Sequence, residues 1–171
     1  YEQVIESLRL KQINKLKNQE NFMKIAIGCD HAGINLKPVL VKYLEENGYE
    51  YTDFGTYGKE SCNYAEYGAK VAEAVASGEY DRGILICGTG IGMSIVANKV
   101  PGIRCAHCHD SFSARATRMH NDANVIAFGE RCIGAGIMLD IVDAFLTTDF
   151  EGGRHLARIA KITEVEQKYS K

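Results

Sequence analysis

Short apolar segments of strand length alternate with longer segments of helical periodicity from residue 23 onward. Strands are predicted over residues 24–28, 49–54, 82–87, 103–107 and 124–128. Helices are predicted over residues 33–47, 64–77, 92–97, 111–119, 134–146 and 153–169. This alternation builds βαβ units, in which parallel strands are covered by helices on both faces. The sequence therefore predicts an α/β fold, a three-layer α/β/α sandwich around a Rossmann-like five-stranded parallel sheet.

The composition fits one domain with a substantial apolar core, since 46% of the 171 residues are hydrophobic and 25% are charged. The 20 basic and 22 acidic residues nearly balance, so no excess charge indicates nucleic acid or a membrane surface as a partner. The apolar runs are also far shorter than a membrane-spanning helix. With this much apolar core, the six cysteines need no disulfide framework. We therefore expect free thiols in a reducing, cytoplasmic compartment.

The first 22 residues differ from the rest of the chain. Apolar residues recur there at roughly helical intervals among lysine, asparagine, glutamine and glutamate, without a catalytic constellation. We expect residues 1–22 to be an N-terminal extension left by processing or cloning, and residues 23–171 to form the functional domain. A helix that binds a partner is the alternative for the extension.

Polar and nucleophilic side chains follow the predicted strands at their carboxyl ends. The groups are Gly28-Cys29-Asp30-His31, Phe54-Gly55-Thr56-Tyr57, Cys87-Gly88-Thr89-Gly90, Cys108-His109-Asp110 and Phe128-Gly129-Glu130-Arg131. Open parallel sheets bind ligands beyond the carboxyl ends of their strands, where the strand order reverses. These groups therefore predict one ligand site along one rim of the sheet.

A glycine-rich stretch follows the third predicted strand and opens a helix; it reads Gly88-Thr89-Gly90-Ile91-Gly92. Its glycines permit a sharp turn that aims several backbone N–H groups at one point, which makes a cradle for an anion. The stretch is not the dinucleotide fingerprint, because Met93 stands where the third glycine belongs. Asp110 lies near the distance expected of a ribose-binding acid, so an NAD site stays open as the weaker alternative. An ordinary strand-to-helix turn is the other.

Cys87 ends the strand just before this cradle. A helix N-terminus stabilises a thiolate, which makes Cys87 a candidate base or nucleophile. The ordinary alternative is a buried cysteine without a chemical role. The position beside the cradle favours a chemical role.

The segment Cys105-Ala106-His107-Cys108-His109 has the C-x-x-C-H spacing of covalent haem attachment and contains residue types that bind zinc. Side chains alternate along a strand, so Cys105 and Cys108 are expected on opposite faces of the sheet. A zinc site with four ligands would need a second pair, which is not evident in the sequence. We therefore predict no metal or haem site in this segment.

Two further polar groups are candidates for the same site. His120 belongs to a polar run before the fifth predicted strand, and we expect this loop to reach the same rim, where an imidazole suits proton transfer. Arg154 and Arg158 are one helical turn apart and would clamp a phosphate well. A satisfied surface histidine and solvated surface charge are the respective alternatives.

Four sequence blocks together resemble the ribose-5-phosphate isomerase B family, within the wider group that includes galactose-6-phosphate isomerase. The blocks are residues 28–33, 83–92, 118–124 and 151–155, which read GCDHAG, GILICGTGIG, RMHNDAN and EGGRH. The resemblance covers residues 23–168 and makes this part a sugar-phosphate isomerase domain. It implies interconversion of ribose 5-phosphate and ribulose 5-phosphate without a metal or other cofactor. It also implies a homodimer, or a dimer of dimers, whose active sites are shared between subunits.

The resemblance implies a role for each matching residue. Cys87 corresponds to the base that moves a proton between C1 and C2, with Thr89 beside it. His120 corresponds to the acid that opens the furanose ring, supported by Asp30. The remaining substrate-binding positions are His31, Gly88, Gly90, Ile91, Gly92, Asn121, Arg131, Arg154 and Arg158. Among these, the histidine and the last two arginines correspond to phosphate ligands, and the arginine pair is expected to come from the partner subunit.

Two alternatives of function stay open. An isomerase of six-carbon sugar phosphates, such as allose 6-phosphate or galactose 6-phosphate, would use the same chemistry in a longer pocket. A nucleotide-binding regulatory module would use the same doubly wound scaffold, because a fold does not fix a function.

Overall fold

A computed structural model describes residues 23–170, so the expected extension at residues 1–22 lies outside the described residues. Five strands form one parallel sheet in the order β2-β1-β3-β5-β4. The strands are β1 (Lys24–Cys29), β2 (Glu50–Asp53), β3 (Arg82–Cys87), β4 (Cys105–His107) and β5 (Val125–Gly129). Within the described range the α-helices are α1 (Lys37–Glu46), α2 (Tyr64–Ala76), α3 (Ile91–Ala97), α4 (Ser111–Asn121), α5 (Ala135–Thr147) and α6 (Arg154–Tyr169). The predicted five-stranded parallel sheet is confirmed.

The three central strands are apolar along nearly their whole length. Every residue of β5 is buried, and so is every residue of β1 and β3 except the first of each strand. A parallel strand covered by helices on both faces needs such a continuous apolar run rather than an alternating one. The edge strands β2 and β4 are shorter and lie partly or fully exposed.

Helices cover both faces of the sheet. Leu40 and Leu44 of α1, Ala114 of α4 and Met138 of α5 pack in one apolar cluster. Val71 and Val75 of α2 pack with Met93 of α3 in a second cluster that also contains Leu85 of β3. The two clusters lie on opposite sides of the sheet, because β3 contributes Ile84 and Ile86 to the first and Leu85 to the second. The predicted three-layer sandwich is therefore confirmed.

The first helix begins later than predicted. A 3₁₀ turn over His31–Gly33 comes first, and α1 starts only at Lys37. The backbone N–H groups of Asn35 and Leu36 each donate to the Glu130 carboxylate at 3.0 Å, instead of to carbonyls of a preceding helical turn. The segment after β1 is thereby tied to the segment after β5.

The strand order reverses at β1, whose neighbours in the sheet are β2 and β3. Connections leave these strands in opposite directions, so a crevice opens between the carboxyl ends of β1 and β3. Cys29 at the end of β1 pairs with Ile86, the residue before Cys87. The topology thus brings Asp30 and Cys87 to the place where such sheets bind ligands. No helix over residues 23–170 is long and apolar enough to cross a membrane.

Candidate active site

A pocket of about 220 Å³ opens at the carboxyl ends of β1 and β3, and we name it the rim site. It is lined by Asp30, His31, Ala32, Tyr64, Cys87, Gly88, Thr89, Gly92 and Arg131. The structure therefore brings together the predicted residues from the ends of three strands. The alternation of parallel strands and helices is what places them at one edge.

The Cys87 thiol lies in the rim site, and its sulfur accepts a hydrogen bond from the backbone N–H of Gly90 at 3.0 Å. This donor stabilises negative charge on the sulfur. The turn requires glycine at position 90, where φ is +79° and a Cβ atom would come within 2.7 Å of the Phe128 backbone. The tight turn thus lets a backbone donor reach the sulfur.

The other cysteines have different surroundings. Burial raises the pKa of Cys29 and that of Cys108 to about 11, so both remain thiols near neutral pH. Burial also raises the pKa of Cys105. The thiol of Cys132 is close enough to the Gly88 carbonyl to donate to it, at 3.9 Å. The sulfur of Cys62 lies 3.8 Å from the Nδ1 atom of His31. Cys87 differs from these cysteines because its sulfur accepts a backbone N–H.

Asp30 and His31 form the wall contributed by β1. The buried Asp30 carboxylate accepts the backbone N–H of Ala32 at 2.9 Å and caps the 3₁₀ turn that carries His31. The Nδ1 atom of His31 accepts the backbone N–H of Cys62 at 3.3 Å. This contact leaves the ring proton on Nε2, where it is able to donate to a ligand.

Two histidines fix the backbone of the glycine-rich stretch at Thr89. The Nε2 atoms of His107 and His109 lie 2.7 Å and 3.2 Å from the Thr89 carbonyl oxygen. The Thr89 hydroxyl accepts the backbone N–H of Ile91 at 3.2 Å. These contacts hold the turn in one conformation, so the amides that remain free in the stretch are preorganised, as an anion cradle requires.

Arg131 and Tyr64 complete the lining of the rim site. The backbone N–H of Arg131 donates to the Gly88 carbonyl at 3.0 Å, and its guanidinium lies close over Gly88. The Tyr64 ring packs so closely on Gly92 that a Cβ atom there would come within 2.6 Å of it. Only the bare backbone of glycine leaves room for this contact.

Four predicted site residues lie elsewhere in the chain, where the end of α4 meets the start of α6. We name this group the helix junction; it comprises His120, Asn121, Arg154 and Arg158. The backbone N–H of Glu151 donates to the Met119 carbonyl at 3.1 Å, which ties the two helices together there. Both arginines are exposed, one turn apart in the first turns of α6.

The expectation that the loop before β5 reaches the rim is therefore wrong for a single chain. Helix α4 runs back across the sheet from the end of β4, so His120 comes just before the amino end of β5. Gly83 pairs with Val125 and Cys87 with Gly129, so about 13 Å of strand separates the two edges. The rim site of one chain therefore lies at the carboxyl ends of the strands, and its helix junction lies at their amino ends.

The remaining motifs have structural explanations. The side chain of Cys105 packs with the cluster on one face of the sheet, and Cys108 belongs to the cluster on the other, as alternation along the strand predicts. The Asp110 carboxylate caps α4 by accepting the backbone N–H of Ser113 at 2.6 Å, a bond that lowers the pKa of Asp110. This role as a cap removes the main argument for an NAD site.

Some residues of the rim site were missed by sequence reasoning. Tyr64 gives no signal beyond a tyrosine at a helix start, and Ala32 gives none. His107 stood in a motif considered only for haem or zinc, and His109 was expected at the rim without a stated role. Their shared partner, the Thr89 carbonyl, is 18 and 20 residues away in sequence, so only the packed sheet reveals it.

Comparison with known proteins agrees with this geometry. The sequence model of the ribose/galactose isomerase family matches residues 25–162. Ribose-5-phosphate isomerase B of Escherichia coli (strain K12) is 52% identical over 145 residues, which cover 85% of this chain and 97% of that protein. The chain belongs to the ribose/galactose isomerase family. Both parts of the site, the rim site and the helix junction, lie within the matched residues.

Two further proteins are similar to this chain over almost the same length. The structure of ribose-5-phosphate isomerase B from Clostridium thermocellum gives a TM-score of 0.85 at 59% identity, covering 86% of this chain and 100% of that one. D-erythrulose-4-phosphate isomerase of Pectobacterium atrosepticum is 45% identical, covering 86% of this chain and 97% of that protein. Members of this family thus carry names for sugar phosphates of different length.

Proposed function

We propose that this protein is an aldose–ketose isomerase that interconverts D-ribose 5-phosphate and D-ribulose 5-phosphate through an enediolate. The observation that carries the proposal is the Cys87 sulfur in the rim site, held at 3.0 Å by a backbone N–H. The similarity to enzymes named ribose-5-phosphate isomerase B, at 48–59% identity, supports the choice of substrate. Isomerisation leaves the oxidation state of the whole molecule unchanged, so it requires no redox cofactor.

Cys87 acts as the base in this mechanism. Its thiolate takes the proton from C2 of the open-chain aldose and returns it to C1, while the hydroxyl proton of the C2 oxygen passes to the C1 oxygen in the enediolate. The negative charge that develops on oxygen is stabilised by the amides of Gly88 and Gly92 together with the Thr89 hydroxyl. The amides of Gly90 and Ile91 support this cradle from within, because they donate to the Cys87 sulfur and to the Thr89 hydroxyl. A preorganised cradle stabilises this charge without the cost of turning solvent dipoles.

The phosphate is held by residues of both parts of the site. His31 offers an Nε2 proton from the rim site, while Arg154 and Arg158 offer two guanidinium groups from the helix junction. Charge-assisted hydrogen bonds of this kind hold a dianion firmly. Asn121 and Arg131 are further substrate-binding residues. Binding energy gained at the phosphate positions C1 and C2 at the thiolate.

His120 opens the furanose ring by moving a proton between the anomeric hydroxyl and the ring oxygen, supported by Asp30. Both His120 and Cys87 must therefore come within a few ångströms of the same carbons. Within one chain they lie at opposite ends of the strands, which are about 13 Å apart along β5. We infer that His120, Asn121, Arg154 and Arg158 reach the rim site of a partner subunit in a homodimer, or in a dimer of dimers.

Exposed apolar side chains support such a dimer. A groove of about 900 Å³ lies between α6, α4 and the edge strand β4. It is lined by Phe112, which is 75% exposed, and by Ile162, Val165 and Tyr169, which are about half exposed or more. Large apolar side chains exposed next to one another fit a surface that a second subunit covers. The six free thiols further support our proposal of a reducing, cytoplasmic compartment.

A coupled assay tests the proposed reaction. The full chain is incubated with ribose 5-phosphate, allose 6-phosphate or galactose 6-phosphate, and formation of the ketose is measured. We expect ribose 5-phosphate to give the highest kcat/KM. Preference for a six-carbon substrate would overturn the choice of substrate, and nucleotide binding in calorimetry without isomerase activity would overturn the enzyme itself.

Replacing Arg154 by alanine is expected to weaken substrate binding more than turnover. Loss of one charged contact to phosphate costs about 1.5–3 kcal/mol, so KM for ribose 5-phosphate should rise roughly tenfold to a hundredfold. Steady-state kinetics measures this change. The control is Lys42→Ala, which removes an exposed charge from α1, away from both parts of the site. An unchanged KM in Arg154→Ala would remove this arginine from the phosphate site.

A further inference from the structure

His155 is a buried titratable side chain that the proposed mechanism does not use. It lies in the first turn of α6 and is 4% exposed. Its Nε2 atom is fully buried and has no hydrogen-bond partner among residues 23–170. The nearest carboxylate oxygen, Oε2 of Glu151, is 3.4 Å away but poorly aligned for a hydrogen bond. Buried polar atoms are nearly always paired in folded proteins, so this one requires an explanation.

The ring of His155 stacks on the ring of His120. The two ring centroids are 4.6 Å apart and the ring planes differ by 21°. Two backbone hydrogen bonds fix the position of one ring relative to the other. The N–H of His155 donates to the Gly152 carbonyl at 3.0 Å, and the N–H of Glu151 donates to the carbonyl of Met119, the residue before His120. His120 itself is only partly buried. The buried ring of His155 thus supports one face of the partly buried ring of His120.

A metal ion is the first alternative for this group. Nitrogen and oxygen atoms of His120, Glu151 and His155 all lie within 4.8 Å of one another. A metal, however, binds an imidazole nitrogen along the lone pair, which lies in the ring plane. Rings that are stacked nearly parallel direct their lone pairs side by side rather than toward one point. The geometry therefore favours support of one ring by the other.

We propose that His155 is a positioning residue that fixes the ring plane of His120 for proton transfer. The negative charge of the Glu151 carboxylate, 3.4 Å from the Nε2 atom, attracts an N–H at that position even without the alignment of a hydrogen bond. The proposal rests on the proposed role of His120 in ring opening. Misplacing the acid lowers kcat rather than the affinity for substrate, because the rate of proton transfer depends steeply on geometry.

The expected kinetic effect is a loss in kcat. In His155→Ala the ring of His120 loses its support, so kcat with ribose 5-phosphate should fall about tenfold to a hundredfold. KM should change less than about threefold, because the phosphate ligands are unaltered. In His155→Phe a flat ring still stacks but cannot face Glu151 with a proton, so kcat should lie between those of His155→Ala and the unaltered protein. This second variant also preserves the volume of a buried side chain.

A double-mutant cycle separates positioning from a general loss of structure. The kcat of His120→Ala, His155→Ala and the double variant is measured on the full chain, with thermal unfolding checked for each. If His155 acts through His120, the double variant is no slower than His120→Ala alone. The inference would be overturned if the losses in kcat of the two single variants multiplied in the double variant. An unchanged kcat in His155→Ala, or a kcat in His155→Phe as low as that in His155→Ala, would also overturn it. Full activity of His120→Ala would instead overturn the proposed role of His120, a different and distinguishable failure.

Discussion

Replacing Cys87 by alanine is expected to abolish isomerisation while leaving substrate binding nearly intact. The variant loses the base that moves the proton between C1 and C2, and general-base catalysis contributes about 10²–10⁴-fold to a rate. The phosphate contacts and the cradle remain, so the Kd for ribose 5-phosphate should change little. The coupled assay measures the rate, and calorimetry with ribose 5-phosphate measures the binding.

The matched control is Cys108→Ala. This cysteine is also buried at the end of a strand, but burial raises its pKa to about 11 and it lies outside the rim site. We expect the control to keep its activity. If Cys87→Ala were as active as the control, the base would have to be another residue. If both binding and activity were lost, the effect would be one of folding rather than of proton transfer.

Mixed dimers are expected to recover activity when one subunit carries Cys87→Ala and the other carries His120→Ala. Because each proposed site takes its thiol from one subunit and its imidazole from the other, a mixed dimer holds one site with both residues intact. The purified mixed dimer should therefore reach about half the activity of the unaltered dimer, while each parent variant stays nearly inactive. The two variants carry different affinity tags, so that mixed dimers are isolated by successive purification on both.

The reverse arrangement is the control for this experiment. One subunit carries both substitutions and its partner carries neither, so the composition of the mixed dimer is unchanged. With shared sites, each site lacks one residue and the dimer should be nearly inactive. If both residues of a site belonged to one chain, this dimer would instead be half active and the first mixed dimer inactive. The two results together therefore decide how the site is assembled.

The sequence by itself determined the fold and the half of the site that lies along the rim. Parallel strands buried on both faces need continuous apolar runs, and such runs at β1, β3 and β5 are visible without a structure. Once the strands are parallel, their carboxyl ends must meet at one edge. Asp30, His31, Cys87 and Arg131 could therefore be assigned to one site from their places after the strands.

Tertiary structure alone decided the contacts that join distant parts of the chain. The polar run at His120 reads like a loop of the rim, but α4 returns across the sheet and leaves it at the opposite edge. The burial of His155 and its stacking on His120 depend on how α6 meets α4, which no local pattern encodes. Periodicity in a sequence reports which face of an element is buried. It does not report which element, or which subunit, covers that face, because many packings bury the same apolar area.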